Sequence, residues 1–211
     1  MKTIFQAIVE GNLDKIRKLR EQGQIDINAL NEHGDSALTM AIKKGDMTAF
    51  RLLLGFKDIN LDQETYTIKF QNKIYPINPL YWSTKLNRPD MVKELLDKGA
   101  DPTRQLGYLR ITPLMLAAVH DLECMRLLLA TEKGVHLKNA QGTTALDLAA
   151  KNGKRASLEL LIPQVTPGEM FTAADFADQR KHHEIARLLR NCAVRASKQE
   201  NQSTSSQTVP K

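Results

Sequence analysis

The chain has 211 residues, with 30 Lys and Arg against 24 Asp and Glu, a formal net charge of +6, 42% hydrophobic residues and 26% charged ones. That composition is expected of one or two soluble domains, and no run approaches the roughly 18 apolar residues of a membrane span. Gln6 and Glu10 interrupt the N-terminal apolar residues, so no cleavable signal peptide is expected, and Cys124 and Cys192 read as reduced thiols of a cytosolic protein.

In chain order, Ile4, Ala7, Gly11, Leu13, Ile16 and Leu19 mark a first helical unit whose Lys15, Arg17, Lys18 and Arg20 would solvate an outer face. The phrase Ser36-Ala37-Leu38-Thr39-Met40-Ala41 opens the next unit. It returns as Asn78-Pro79-Leu80-Tyr81-Trp82-Ser83, Thr112-Pro113-Leu114-Met115-Leu116-Ala117, Thr144-Ala145-Leu146-Asp147-Leu148-Ala149 and Thr172-Ala173-Ala174-Asp175-Phe176-Ala177. Taken at Ile4, Leu38, Leu80, Leu114, Leu146 and Ala174, the steps are 34, 42, 34, 32 and 28. A fixed period near 33 predicts a solenoid of about six helix pairs, the terminal two irregular. Pro163 and Pro167-Gly168 fill a shortened connection before Thr172 and read as a turn. From 193 to 211 the apolar period stops, and this polar stretch reads as a disordered tail.

These phrases resemble the T-P-L-H-x-A signature of the ankyrin-repeat family. Gly34, Gly45, Leu52, Leu53 and Asn60 fit it in the second unit, Leu95, Leu96, Gly99 and Ala100 in the third, and Gly142, Gly153, Leu160 and Leu161 in the fifth. The resemblance covers roughly residues 1–190. It implies an all-α repeat domain over 1–192 with β-hairpin fingers, a protein-binding role and no enzymatic one. Gly at the helix break supplies the left-handed backbone, Thr or Ser before each inner helix supplies a cap, and Ala41, Ala117, Ala149 and Ala177 let helices approach closely.

The departure from the pattern is the step of 42, about nine residues over the period. The excess, within residues 62–78, alternates as two strands, 65–70 and 73–77, joined by Gln71-Asn72. The simple register sets Phe70 against Lys73, Ile68 against Tyr75 and Tyr66 against Ile77, with Tyr66, Ile68, Phe70, Tyr75 and Ile77 on one face. With Tyr81 and Trp82, five of eleven aromatics fall within seventeen residues. Aromatic side chains are enriched where interfaces are hottest. The expected partner-binding residues are therefore Tyr66, Ile68, Phe70 and Tyr75 on the long finger, His33 on another, and Tyr81 and Met115 on inner helices. Lys43 and Lys85 would guide an acidic partner. Trp82 aligns with Met40, Leu116 and Leu148 and is expected in the core.

The resemblance also implies that Lys43, Lys44, Lys85, Lys151, Asn152 and Arg180 look onto a concave groove. His120 and Cys124 have metal-like spacing but fall on different helices, and two ligands fall short of a zinc set. No phosphate loop or nucleophile motif occurs, so neither metal nor cofactor is expected. A protein partner ranks above nucleic acid, for which no recognised motif appears, and a monomer is expected. The chain further resembles short ankyrin-repeat effectors that intracellular bacteria deliver into the host cytoplasm by type IV secretion. A resident cytosolic regulator or inhibitor of an enzyme, and a basic adaptor for nucleic acid or acidic membrane, stay open beside that reading.

Overall fold

The computed structural model describes residues 4–70 and 73–205; for 66–70, 73–75 and 200–205 only the backbone is described. The expected turn residues Gln71 and Asn72 and the last six tail residues lie outside this range. Two compact units divide the chain, Met1–Pro113 and Leu114–Lys211.

The first unit holds three helix pairs: α1 (Ile4–Glu10) with α2 (Leu13–Glu21), α3 (Ala37–Lys44) with α4 (Met47–Leu54), and α5 (Pro79–Lys85) with α6 (Pro89–Asp97). Between the second and third pairs stands the hairpin of β1 (Thr65–Phe70) and β2 (Lys73–Ile77). The second unit opens with α7 (Pro113–His120), whose first residue ends the first unit, paired with α8 (Leu122–Leu129). It continues with α9 (Ala145–Lys151) and α10 (Arg155–Leu161), then α11 (Pro167–Gln179) and α12 (His183–Ser205). The helix-pair repeat expected from the period is thus the architecture found.

The repeated phrase works as its chemistry requires. Ile4, Leu38, Leu80, Leu114, Leu146 and Ala174 are all buried, as are Ala41, Ser83, Ala117, Ala149 and Ala177. Ser36, Asn78 and Thr144 accept from the backbone N–H of the third helical residue, closing the inner helices α3, α5 and α9. Each such cap stabilises its helix by about 1 kcal/mol. Gly45 ends α3 at φ 73°, and a Cβ there would stand 2.8 Å from the Arg88 guanidinium. The positive φ is what favours glycine at that helix break, since the flexible tip of Arg88 can move aside.

Three expectations need correction. Pro167 belongs to α11, which Thr166 caps with Glu169 in a reciprocal capping box, so the last inner helix starts five residues before Thr172. Proline fits this first helical position because its missing N–H would have no intrahelical partner there. The expected tail is helical as far as Ser205. No Gly or Pro interrupts 183–205, the start of the helix is anchored by buried Ala186, Leu189 and Ala193, and Ala, Arg, Lys, Gln and Glu beyond them favour its continuation. The hairpin register also differs at its base.

Phe70 pairs with Lys73 and Ile68 with Tyr75 as expected, but Ile77 pairs with Thr65 rather than Tyr66. Tyr66 and Thr67 together stand against the single Pro76, a bulge. Pro76 has no N–H to complete the ladder, and its carbonyl accepts instead from the Gly107 N–H of the next finger at 3.2 Å. Thr65 Oγ1 donates to the Ile77 carbonyl at 2.9 Å, and both residues are buried. The base of the long hairpin is therefore part of the packed structure. The other fingers of this unit are shorter, each reduced to one bridge, Leu30 with Ser36 and Leu106 with Ile111.

Candidate functional site

Within the repeated phrase, the residue after the marker leucine and the one following it have opposite fates. Thr39 and Tyr81 in the first unit, and Met115 and Asp147 in the second, are buried. Met40 and Trp82 in the first unit, and Leu116 and Leu148 in the second, are half-buried. This overturns three placements. Tyr81 is only 9% exposed, and burial pushes its hydroxyl pKa above the ordinary range; Met115 is 1% exposed. Both fill the repeat interior, because the helix turns that column inward. Trp82, expected in the core, instead shows part of its indole.

Lys43 and Lys85 follow Met40 and Trp82 at i+3, so their stems lie on the same helix faces. The Lys43 ammonium stands 4.4 Å from the centroid of the Trp82 ring and the Lys85 ammonium 5.0 Å. Both lie within the roughly 6 Å at which a cation is attracted to an indole. Lys43 also donates to Asp35 Oδ1 at 2.6 Å, which fixes its position from a second direction. Lys85 is exposed and has no carboxylate at ion-pair distance among the described residues. The indole N–H is shielded from solvent and finds no acceptor among the described residues. Such a donor costs about 1–3 kcal/mol.

Ile8 and Val9 on α1, Met40, Lys43 and Lys44 on α3, and Asp35 just before α3 surround an open hollow of about 300 Å³. Lys44 donates to the carbonyls of Ile8 and Val9 at 3.0 and 3.1 Å, placing a positive charge at the C-terminal turn of α1, where the helix dipole favours it. Lys43, Trp82 and Lys85, with this hollow, make the first unit's inner-helix face both apolar and cationic.

His33 is exposed on the finger turn, its backbone N–H held by Asn31 Oδ1 at 2.9 Å, with Glu32 at 3.6 Å from its ring. The side chains of Tyr66, Ile68, Phe70 and Tyr75 lie outside the described residues. The backbone of Ile68, Phe70 and Tyr75 stands in the paired part of the hairpin, and that of Tyr66 in the bulge beside its buried base. The structure thus brings Lys43 and Lys85 together on a tryptophan that was not among the expected contacts.

In the second unit, Lys151 stands 5.9 Å from the Phe176 ring. A wider open hollow of about 860 Å³ there is lined by Leu129, Val135, Leu137, Leu160, Arg126 and His136, among others. His136 is engaged by Glu169 at 2.7 Å. Burial raises the Glu169 pKa, but hydrogen bonds from the Thr166 N–H, His136 and the Thr166 hydroxyl outweigh it and hold the carboxyl below its usual range. His120 is exposed at the end of α7 and Cys124 is buried in α8. Among the described residues, no helix is long and apolar enough to cross a membrane.

A family model described as ankyrin repeats, in three copies, matches residues 4–106 and 104–170. Ankyrin repeat and SOCS box protein 11 of Mus musculus is 35% identical over 127 residues, which is 59% of this chain and 36% of that protein. Protein PhlB of Serratia liquefaciens is 29% identical over 143 residues, covering 67% of this chain and 58% of PhlB. A solved chain from the complex of the Bd0816 predatory endopeptidase of Bdellovibrio bacteriovorus with immunity protein Bd3460 superposes with a TM-score of 0.71 and 25% identity. That match covers 90% of this chain and 98% of the other. The chain spans about a third of the length of the SOCS-box relatives it matches.

Proposed function

This chain belongs to the ankyrin-repeat family, and from that premise we propose that it is a non-enzymatic protein-binding module whose contact surface is the first unit's inner-helix face, extended by the long hairpin. One observation carries the reading: two lysine ammonium groups share a single half-exposed indole, 4.4 and 5.0 Å from its centroid. An aromatic ring of this kind offers large contact area at low entropy cost, and tryptophan is the residue most enriched at binding hot spots. The lysines give the face the sign that attracts an acidic partner and speeds its approach. Tyr66, Ile68, Phe70 and Tyr75 extend the surface along the finger, and His33 adds a second finger turn. Affinity capture with the intact chain, a chain lacking residues 66–75 and the Trp82→Ala variant tests this. A partner held by the intact chain and by both altered ones would exclude both halves of the surface.

A second reading concerns what the partner is. The structural neighbour comes from a complex of an endopeptidase with an immunity protein, which favours control of an enzyme over passive scaffolding. In that reading the chain acts as a stoichiometric inhibitor. Co-expression with candidate hydrolases, scored by loss of their activity at equimolar ratio, separates the two. Delivery into a host cell by type IV secretion is a finer reading, supported by the divergence of the repeats and by the polar run at 193–211. Reporter transfer by the full chain and by one ending at Ala196 tests that delivery.

A further inference from the structure

The hollow beside Met40 gives the proposed face a chemical preference. Its walls are Ile8, Val9 and Met40, and Val9 is 59% exposed, the highest value among the exposed large hydrophobic residues described. Two ammonium groups, those of Lys43 and Lys44, stand in the same lining, with one carboxylate, Asp35. Lys44 also has Asp46 at 3.9 Å, and Lys43 is shared between Asp35 and the indole. Lys85, on the same indole, carries the charge that no carboxylate matches among the described residues. An apolar recess thus sits within a rim whose charges sum to a positive value.

We propose that this hollow receives one apolar side chain from an extended acidic segment of the partner, whose flanking carboxylates meet Lys43, Lys44 and Lys85. A volume of about 300 Å³ lies at the small end of binding pockets, suited to a single side chain of an extended strand. A second copy of this chain fits poorly, because two chains of charge +6 repel each other. A nucleic-acid backbone would satisfy the lysines but leave the apolar walls without a counterpart. The proposal rests on the reading of the Trp82 face as the binding surface.

The test is selection of phage-displayed random dodecapeptides on the immobilised full chain, with enriched peptides resynthesised carrying fluorescein and measured by anisotropy. Enriched sequences should place Asp and Glu around one Leu, Met or Phe. Val9→Asp sets a carboxylate on an exposed position in the hollow and should weaken those peptides at least ten-fold, or about 1.4 kcal/mol, with the melting temperature unchanged. Enrichment without acidic bias, no enrichment at all, or oligothymidylate binding more tightly than any peptide would overturn the proposal. Peptides weakened by Trp82→Ala but untouched by Val9→Asp would remove the hollow and leave the face. Peptides indifferent to both variants would remove the face as well.

Discussion

Replacing Lys43, Lys85 and Trp82 singly and in pairs measures whether the indole and its two ammonium groups form one energetic unit. Lys43→Ala removes a charge 4.4 Å from the ring centroid and 2.6 Å from Asp35. A partly shielded cation–π contact contributes about 1 kcal/mol, and the part-exposed ion pair with Asp35 about 1 kcal/mol more. Lys43→Ala should therefore cost about 2 kcal/mol. The Lys85 contact is longer, 5.0 Å, and exposed, so Lys85→Ala should cost about 0.5 kcal/mol. Trp82→Leu keeps an apolar side chain but removes the π face. Its coupling should be about 1 kcal/mol with Lys43→Ala and about 0.5 kcal/mol with Lys85→Ala. Urea unfolding at low salt reads each cycle. A Trp82–Lys43 coupling within about 0.3 kcal/mol of zero, as for sites that do not touch, would refute the reasoning.

Leu114 is 2% exposed in the first turns of α7, and Leu114→Ala should destabilise the chain by about 2–5 kcal/mol in urea unfolding through the cavity it leaves. Ending the chain at Ala196 should leave the melting temperature unchanged while far-UV circular dichroism loses the signal of Ser197 to Ser205; an unchanged spectrum would show that this segment adds no helix in solution. The hydrogen bonds that lower the Glu169 pKa contribute stability above the ordinary glutamate range, and it is lost as pH falls through the lower folded value. Glu169→Gln should flatten the acid limb of the melting-temperature profile, and two parallel profiles would contradict this.

Much of the fold was legible because one phrase recurs. A buried leucine, a small residue three positions on, a capping side chain before and a Gly at the break repeat with too little variation to leave the architecture open. Local breaks in that regularity were harder to read. Pro76 inside β2 signals a bulge, yet alternation alone assigned Tyr66 the place that Thr65 takes. Pro167 marks a helix start as well as a turn, and only its position after the capping Thr166 decides between them. The polar segment after 193 lacks the apolar period but also lacks any helix breaker before Ser205.

The site was half legible. Lys43 and Lys85 stood out as basic residues at equivalent positions, but Tyr81 and Trp82 exchanged their expected roles. Trp82 was placed in the core because it aligns with Met40, Leu116 and Leu148, but that whole column is only half-buried. The repeat itself held the better signal, since lysines at i+3 from Met40 and Trp82 place that column on the solvated face. In the buried column, the Asp147 carboxylate accepts from both the N–H and the hydroxyl of Thr144, and the Lys138 charge also favours it.

The most direct test of the account is the dissociation constant of the partner captured by the full chain, measured by titration calorimetry for the wild-type and Trp82→Ala proteins, with folding of both checked by thermal melting. Loss of a hot-spot residue costs 2 kcal/mol or more, so the account predicts a weakening of roughly thirty-fold, with the variant still folded. An affinity unchanged by Trp82→Ala would contradict it and move the binding surface away from the inner-helix face of the first unit.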